Sequence, residues 1–265
     1  MIEPLHAVSY FYDEPKAANI DLGITGFWRG YFAGRAAVVF VHEPDADAAR
    51  ITELFGGFAP SMVERAIPSV WSLATPQQVY AARLASSGAA LARVCDKYLS
   101  RTQKVLADLG KRVLPHLADA PMAAAEAAQP DPEDKGSSAW HWATVLREFR
   151  GDMHLAAVRD AGLSWPAMHL LVEPTGRLDP QQRDFRGWTE AEWGAARSEL
   201  EARGLYGTPE GAEMIEAIEA DTDARVAAAL GNAPVLSLTG FLRPPATIAA
   251  AQLPFPNAMG LPPID

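Results

Sequence analysis

Hydrophobic and polar positions along this chain alternate mainly with the period of an α-helix. Between residues 137 and 161, apolar residues recur about every 3.6 positions with no proline between them. This pattern predicts one long central helix with Ser137 or Ser138 as its N-terminal cap. A second long helix is predicted from residue 76 to about residue 109, capped by Thr75. Because alanine and other helix formers dominate, we predict a mainly α fold.

The predicted central helix has polar side chains on both edges of its apolar face. That face consists of Trp142, Val145, Leu146, Phe149, Met153, Ala156 and Ala157. One edge carries His141, Glu148 and Asp152, and the other carries Arg147, Arg150 and His154. Glu148 and Asp152 are four residues apart, so their like charges repel and need an offset. An arginine from another element, a shared proton or a cation would provide it.

These polar edges have two main interpretations. In the first, they line a ligand or catalytic site whose acid–base groups are Glu148, Asp152, His141 and His154. In the second, they form salt bridges that only brace the helix against its neighbours. A metal site is less well supported, because His141 lies seven residues from Glu148 and no HExxH-like spacing is present. We therefore assign no metal ligand.

A glycine-rich segment near the N-terminus supplies further candidate residues. Gly26, Gly30 and Gly34 recur every four residues, which would give a helix a bare strip for close packing or for a flat ligand. The candidate substrate-binding residues are Trp28, Arg29, Arg35, Arg147, Arg150 and His6. The arginines would hold an anionic or carbonyl group. A purely structural role is the alternative for His6, which has no local partner motif.

Composition limits the classes of protein that the chain can represent. Of its 265 residues 49% are hydrophobic, and its formal net charge of −10 argues against general affinity for nucleic acid. The single cysteine, Cys95, excludes an internal disulfide framework and suits a reducing compartment. The N-terminus lacks the features of a signal peptide, and no segment is apolar enough to span a membrane. We therefore expect a cytoplasmic protein.

Proline, alanine and acidic residues between positions 115 and 136 predict a break in the chain. We predict a helical N-terminal domain at residues 1–117 and a linker at 118–137. Residues 138–265 would then hold the central helix, a winged-helix-like domain and a proline-rich tail. A pocket between the two halves would bring the glycine-rich segment close to the central helix.

The C-terminal half resembles a known DNA-binding fold. Thr189 and Glu192 form a capping box for a helix that ends at Gly204 in LEARGLY, and TPEGAEMIEAIEADTD follows after a turn. This order is similar to the winged-helix half of MarR-type regulators, and it implies a small β wing at residues 206–209. Over the whole chain, GFWRGYFAGRAA and WHWATVLREFRGDMHLAAV resemble an actinobacterial helix-turn-helix family. The resemblance leaves open that the N-terminal half is a degenerate copy of the same unit.

The charge of the winged-helix-like part disfavours DNA binding. Residues 185–231 contain four basic and ten acidic residues, and the predicted wing has no lysine or arginine. We therefore expect a small-molecule-binding protein, an enzyme of specialised metabolism with acid–base groups in a pocket between the two halves. A ligand-responsive DNA-binding regulator is one alternative, and a haem or metal protein that uses His6, His141 or His154 is another. No cofactor is indicated, and a homodimer stays open.

Overall fold

The computed structural model describes residues 1–176, 181–254 and 257, and this part of the chain is mainly helical, as predicted. The first seven helices are α1 (Ile2–Phe11), α2 (Asp13–Asp21), α3 (Phe27–His42), α4 (Ala48–Phe55), α5 (Pro60–Glu64), α6 (Pro76–Val113) and α7 (Pro121–Ala127). They are followed by α8 (Lys135–Asp160), α9 (Trp165–Val172), α10 (Gln182–Arg186), α11 (Glu190–Ala202), α12 (Pro209–Leu230) and α13 (Val235–Ala250). Short 3₁₀ helices lie at Ser69–Ser72, Leu114–Asp119 and Glu173–Thr175.

Helices α6 and α8 pack along each other more extensively than any other pair and form the centre of the larger hydrophobic core. Two glycines of α6 permit this close approach. A Cβ atom at Gly88 would lie 2.5 Å from the Ser137 backbone nitrogen, and one at Gly110 would overlap the Trp142 ring. Helices α1, α2, α3, α7 and α13 pack around this pair. We call helices α1–α7 and α13 the N-terminal bundle.

The caps of the two long helices differ in how well local sequence predicts them. The side chain of Thr75 caps α6 in a capping box with Gln78, so the prediction of this cap is confirmed. Helix α8 begins earlier than predicted, because the Asp134 carboxylate accepts a hydrogen bond from the Ser137 backbone N–H at 2.8 Å. The prediction of Ser137 or Ser138 as the cap is therefore wrong.

A second, smaller hydrophobic core lies around α9, α11 and α12, and we call α9–α12 the C-terminal unit. Leu170, Leu200 and Ile215 are buried in it. Ala157 and Val158, from the last turns of α8, are buried there too. Helix α8 therefore enters both cores and joins the N-terminal bundle to the C-terminal unit.

The predicted β wing is wrong, because the described residues contain no strand. The predicted capping box at the start of α11 is confirmed, but α11 is followed by a single tight turn. The backbone N–H of Leu205 donates to the Leu200 carbonyl at 2.8 Å, and Gly204 and Gly207 adopt φ values of 68° and 69°. The side chain of Thr208 then caps α12. The chain re-enters a helix at once and leaves no length for a hairpin.

Part of the segment predicted as a linker is packed helix. Helix α7 lies inside residues 118–137, and it packs on α8 with Met122 and Ala123 buried. The predicted proline-rich tail lies outside the described residues except for Pro254 and Asn257. The division of the chain at residues 117 and 138 stays a prediction.

Over the described residues, no single helix combines the length and apolar character needed to cross a bilayer. Helices α12 and α13 meet that requirement only when they are taken together, and they are bent by 102° at the break between them.

Candidate functional site

A cavity of about 710 Å³ lies between the N-terminal bundle and the C-terminal unit. Residues 146–155 of α8 form one wall, and the opposite walls come from α3, α4, α9 and the loop after α4. The ends of α6 and α12 and the first half of α13 contribute apolar side chains, among them Val113, Val226 and Leu238. The volume and the largely apolar wall are typical of small-molecule sites.

Glu148 lies in the wall of this cavity and is held by two guanidinium groups. Arg35 reaches it from α3 with two hydrogen bonds, Nε to Oε1 at 3.1 Å and Nη2 to Oε2 at 2.7 Å. Arg147 donates to Oε2 at 2.9 Å. Burial alone would raise the pKa of Glu148, but the nearby Arg147 and Arg35 outweigh it and hold the pKa well below its usual range. Glu148 is therefore a fixed carboxylate. Arg35, from α3, is an arginine from another element, one of the groups predicted to offset the repulsion between Glu148 and Asp152.

Asp152 also lines the cavity but has a different environment. Its Oδ2 atom accepts a hydrogen bond from the Ala123 backbone N–H at 3.0 Å, in the first turn of α7. Burial raises the pKa of Asp152 to about 7, although the backbone N–H groups of Ala123 and Met122 act in the opposite direction. The two carboxylates of this helix edge thus differ: Glu148 is ionised, and Asp152 titrates near neutral pH.

The opposite edge of α8 faces the C-terminal unit. Arg150 and His154 line the cavity, but both turn towards α12. The Arg150 Nη2 atom lies 2.8 Å from Oε2 of Glu219, and His154 Nδ1 lies 3.3 Å from the Thr222 hydroxyl and 3.8 Å from Glu219. Burial lowers the pKa of His154 from its usual value. These side chains connect the two units as well as bordering the cavity.

The other predicted site residues lie away from the cavity. Buried His6 hydrogen-bonds to the Thr144 and Tyr10 hydroxyl groups at 3.0 and 2.7 Å. Trp28 packs in an aromatic cluster with Tyr31, Phe32 and Phe58. Arg29 donates to the Ser69 hydroxyl at 3.1 Å. None of these three residues lines the cavity, although His6 contacts α8 and lies near the charges of Arg147 and Glu148.

His141 belongs to a separate buried group inside the N-terminal bundle. Its Nδ1 atom lies 4.0 Å from Oε1 of Glu126, and Tyr80 donates to the same oxygen at 3.3 Å. Burial lowers the pKa of His141 to about 4 and raises the pKa of Glu126 to about 7. His141 is thus mainly uncharged, and Glu126 titrates near neutral pH in this apolar surrounding. No group of three His, Cys, Asp or Glu residues suited to a metal ion occurs within the described residues.

Further residues, which were not predicted from the sequence, join the two units beside the cavity. The Gly57 carbonyl, in the loop after α4, accepts hydrogen bonds from His169 Nε2 and Trp188 Nε1, both at 3.1 Å. The backbone carbonyl of Arg186 accepts from the Ala59 N–H at 2.9 Å. Burial lowers the pKa of His169 to about 3, so its ring is neutral. No local motif marks these positions, because their partners come from more than 100 residues away.

Comparison with known proteins finds a protein-family model that matches the chain. No curated protein and no solved structure matches the chain. The family match extends over residues 1–256 and so includes the N-terminal bundle together with the C-terminal unit. A likeness to MarR regulators and an actinobacterial origin stay predictions. Because the matching model covers nearly its whole length, the chain belongs to a helix-turn-helix family.

Proposed function

We propose that the protein binds a small organic molecule in the cavity between the N-terminal bundle and the C-terminal unit. The observation that carries the proposal is the composition of the cavity wall. Apolar side chains from several helices surround a small cluster of ionisable groups on α8. Ligand sites combine these two features, since the apolar wall provides affinity and the few polar groups fix orientation.

Within this proposal, Asp152 is the group that would exchange a proton with the bound molecule. It lines the cavity, and a pKa of about 7 populates both of its protonation states near neutral pH. Glu148 is less suited to this role, because Arg35 and Arg147 keep it ionised. We infer that acid–base turnover of the ligand would centre on Asp152.

A neutral fluorescent probe, N-phenyl-1-naphthylamine, tests whether the cavity takes a ligand. Gly151 faces the cavity from α8, and a Cβ atom there would contact only the Glu148 carboxylate at 3.9 Å. A Gly151→Phe substitution would therefore place an aromatic ring in the cavity from a position where the backbone accepts a Cβ atom. We expect saturable one-to-one binding to the wild-type protein and a loss of most of the fluorescence enhancement in Gly151→Phe.

The matched control is Gly194→Phe, the same substitution on α11, where a Cβ atom has open space around it. This control should bind the probe as the wild-type protein does. Absence of saturable binding to the wild-type protein, or unchanged binding to Gly151→Phe, would contradict the proposal.

A ligand-responsive DNA-binding regulator is the second candidate, and membership of a helix-turn-helix family favours it. Helix α11 has the position of a recognition helix, after α9 and α10. Its exposed residues include Glu190, Glu192, Glu199 and Glu201, which would face phosphates. The guanidinium group of Arg203 is already bonded to Glu199 at 3.2 Å. The charge of α11 therefore argues against DNA binding through this helix.

A gel-shift assay with the DNA upstream of the protein's own gene separates these two candidates. Phosphate contacts make DNA binding weaken steeply with added salt. Sequence-selective binding at low salt that is lost on raising the salt concentration would favour the regulator. We expect no selective shift, and scrambled DNA of the same length is the control.

A further inference from the structure

One of the guanidinium groups that line the cavity has no carboxylate partner in the part of the chain that the structure describes. Arg35 and Arg147 are paired with Glu148, and Arg150 is paired with Glu219. Arg186, at the end of α10, also lines the cavity. Among the described residues, no carboxylate lies within 4.0 Å of its guanidinium nitrogens.

The guanidinium group of Arg186 is nevertheless held in a defined position. It lies over the Phe58 ring, 4.4 Å from the centroid, and close to the Tyr31 hydroxyl. With the amide oxygen of Gln182 turned towards it, Nε and Nη2 donate to that oxygen at 2.8 and 3.3 Å. Residues of both units therefore orient this group beside the cavity before any ligand arrives.

This half-buried guanidinium group lacks the carboxylate partner that charges withdrawn from water normally have. Burial lowers the pKa of Arg186, yet an arginine side chain stays protonated at neutral pH. Neutral oxygen atoms and an aromatic face replace only part of the water that a full positive charge loses. An anionic group on a ligand would supply the missing partner, and a planar carboxylate matches the fork of the guanidinium.

The rest of the cavity limits the kind of anion. Glu3, Glu148 and Asp152 also line it, so a doubly charged phosphate would meet more repulsion than a single carboxylate. Away from the charged groups, the wall consists of apolar side chains from α6, α12 and α13. A carboxylate with an apolar body satisfies both parts of the cavity.

We propose that the ligand of this cavity is an amphipathic monocarboxylate, and that Arg186 binds its carboxylate while its apolar body lies against α6, α12 and α13. This inference rests on the proposed function, since it names the ligand class of the same cavity. It also assigns the anion-binding role to a residue of the C-terminal unit, so that the ligand contacts both units at once.

Isothermal titration calorimetry with acid and amide pairs tests the assignment. Decanoate and decanamide form one pair, and indole-3-butyrate and its amide form another. We expect each acid to bind the wild-type protein roughly 10- to 100-fold more tightly than its amide, the range covered by hydrogen bonds to charged groups. In Arg186→Gln this preference should disappear, and in Arg186→Lys, which keeps the charge without the fork, it should be intermediate.

Arg183→Gln is the matched control, since Arg183 lies on the same short helix and is paired with Asp184 at 2.9 Å. It should bind the acids as the wild-type protein does. Equal affinity of the wild-type protein for acid and amide, or an unchanged preference in Arg186→Gln, would overturn the inference and leave small-molecule binding intact. A wild-type protein that binds neither these acids nor the neutral naphthylamine probe would overturn the proposed function as well. Circular dichroism tests whether each variant is folded. If Arg186→Gln is unfolded, an unchanged preference for the acid in Arg186→Lys would overturn the inference.

Discussion

Replacing Glu148 by glutamine should lower the free energy of unfolding by about 3–5 kcal/mol, the cost of removing one partner from a buried ion pair. The side chains of Arg35 and Glu148 are only 5% and 3% exposed. Without the carboxylate, the charge of Arg35 would stay buried and uncompensated. Arg147 would retain only Glu3, whose carboxylate lies 3.5 Å away. The loss should therefore greatly exceed that for an ion pair at the surface.

Urea unfolding at pH 7, followed by circular dichroism, measures this effect. Glu219→Gln is the matched control, because it breaks an ion pair with Arg150 in which the two side chains are 41% and 49% exposed. Its cost should stay below about 1 kcal/mol. The double variant Arg35→Met/Glu148→Leu should recover much of the lost stability, since it removes both charges of the closest pair and leaves apolar side chains.

The effect should also depend on pH in a defined direction. The folded protein holds the pKa of Glu148 below its value in the unfolded chain, which is about 4.3. The stabilisation is therefore fully present above that pH and is lost as the pH falls further. The difference between the wild-type protein and Glu148→Gln should shrink below about pH 4. A cost below about 1 kcal/mol at pH 7, as for a surface pair, would refute the reasoning.

Two further predictions concern packing and titration. Gly110→Ala would push a methyl group into the Trp142 ring and should lower the free energy of unfolding in urea by about 1–3 kcal/mol. The control Gly194→Ala, in open space on α11, should raise it by roughly 0.5–1 kcal/mol. Equal effects of the two substitutions would contradict the packing of α6 on α8. The raised pKa of Asp152 contributes a loss of stability as the pH rises from about 4 to about 7. Asp152→Asn should remove part of that loss, and Glu126→Gln should remove another part. Thermal unfolding at pH 5 and pH 8 measures both effects. A change in melting temperature between the two pH values equal to that of the wild-type protein would argue against the raised pKa of the residue replaced.

Features of this fold that depend on neighbouring residues were predictable from sequence. The side chains of Thr75 and Thr189 cap their helices through a partner three residues away, so both signals can be read along the chain. The helical period also places Glu148 and Asp152 on one edge of α8, where both line the cavity. The cap of α8 was missed because Asp134 lies in a segment that appeared to be a linker.

Features that depend on distant residues were not predictable. The partner of Glu148 lies 113 residues earlier. Arg29 and Arg35 were both candidates to hold an anionic group, although only Arg35 faces α8. Arg186 was missed because the ring of Phe58, which positions it, belongs to the other half of the chain. The wing was predicted from a familiar order of helices, but the turn after α11 has no room for it. Side-chain direction decided the cases of Arg35 and Arg186, and the length of the turn after α11 decided the case of the wing.

The presence of α8 in both hydrophobic cores has a consequence for any attempt to divide the protein. A fragment that begins at residue 138 would carry α8 without α6, and Trp140, Val145 and Phe149 would then be exposed to water. A fragment that ends before α8 would leave the opposite surface of α6 bare. Neither fragment would keep a complete set of cavity walls. Binding of any partner should therefore be measured on a form of the protein that keeps α1 to α13 together.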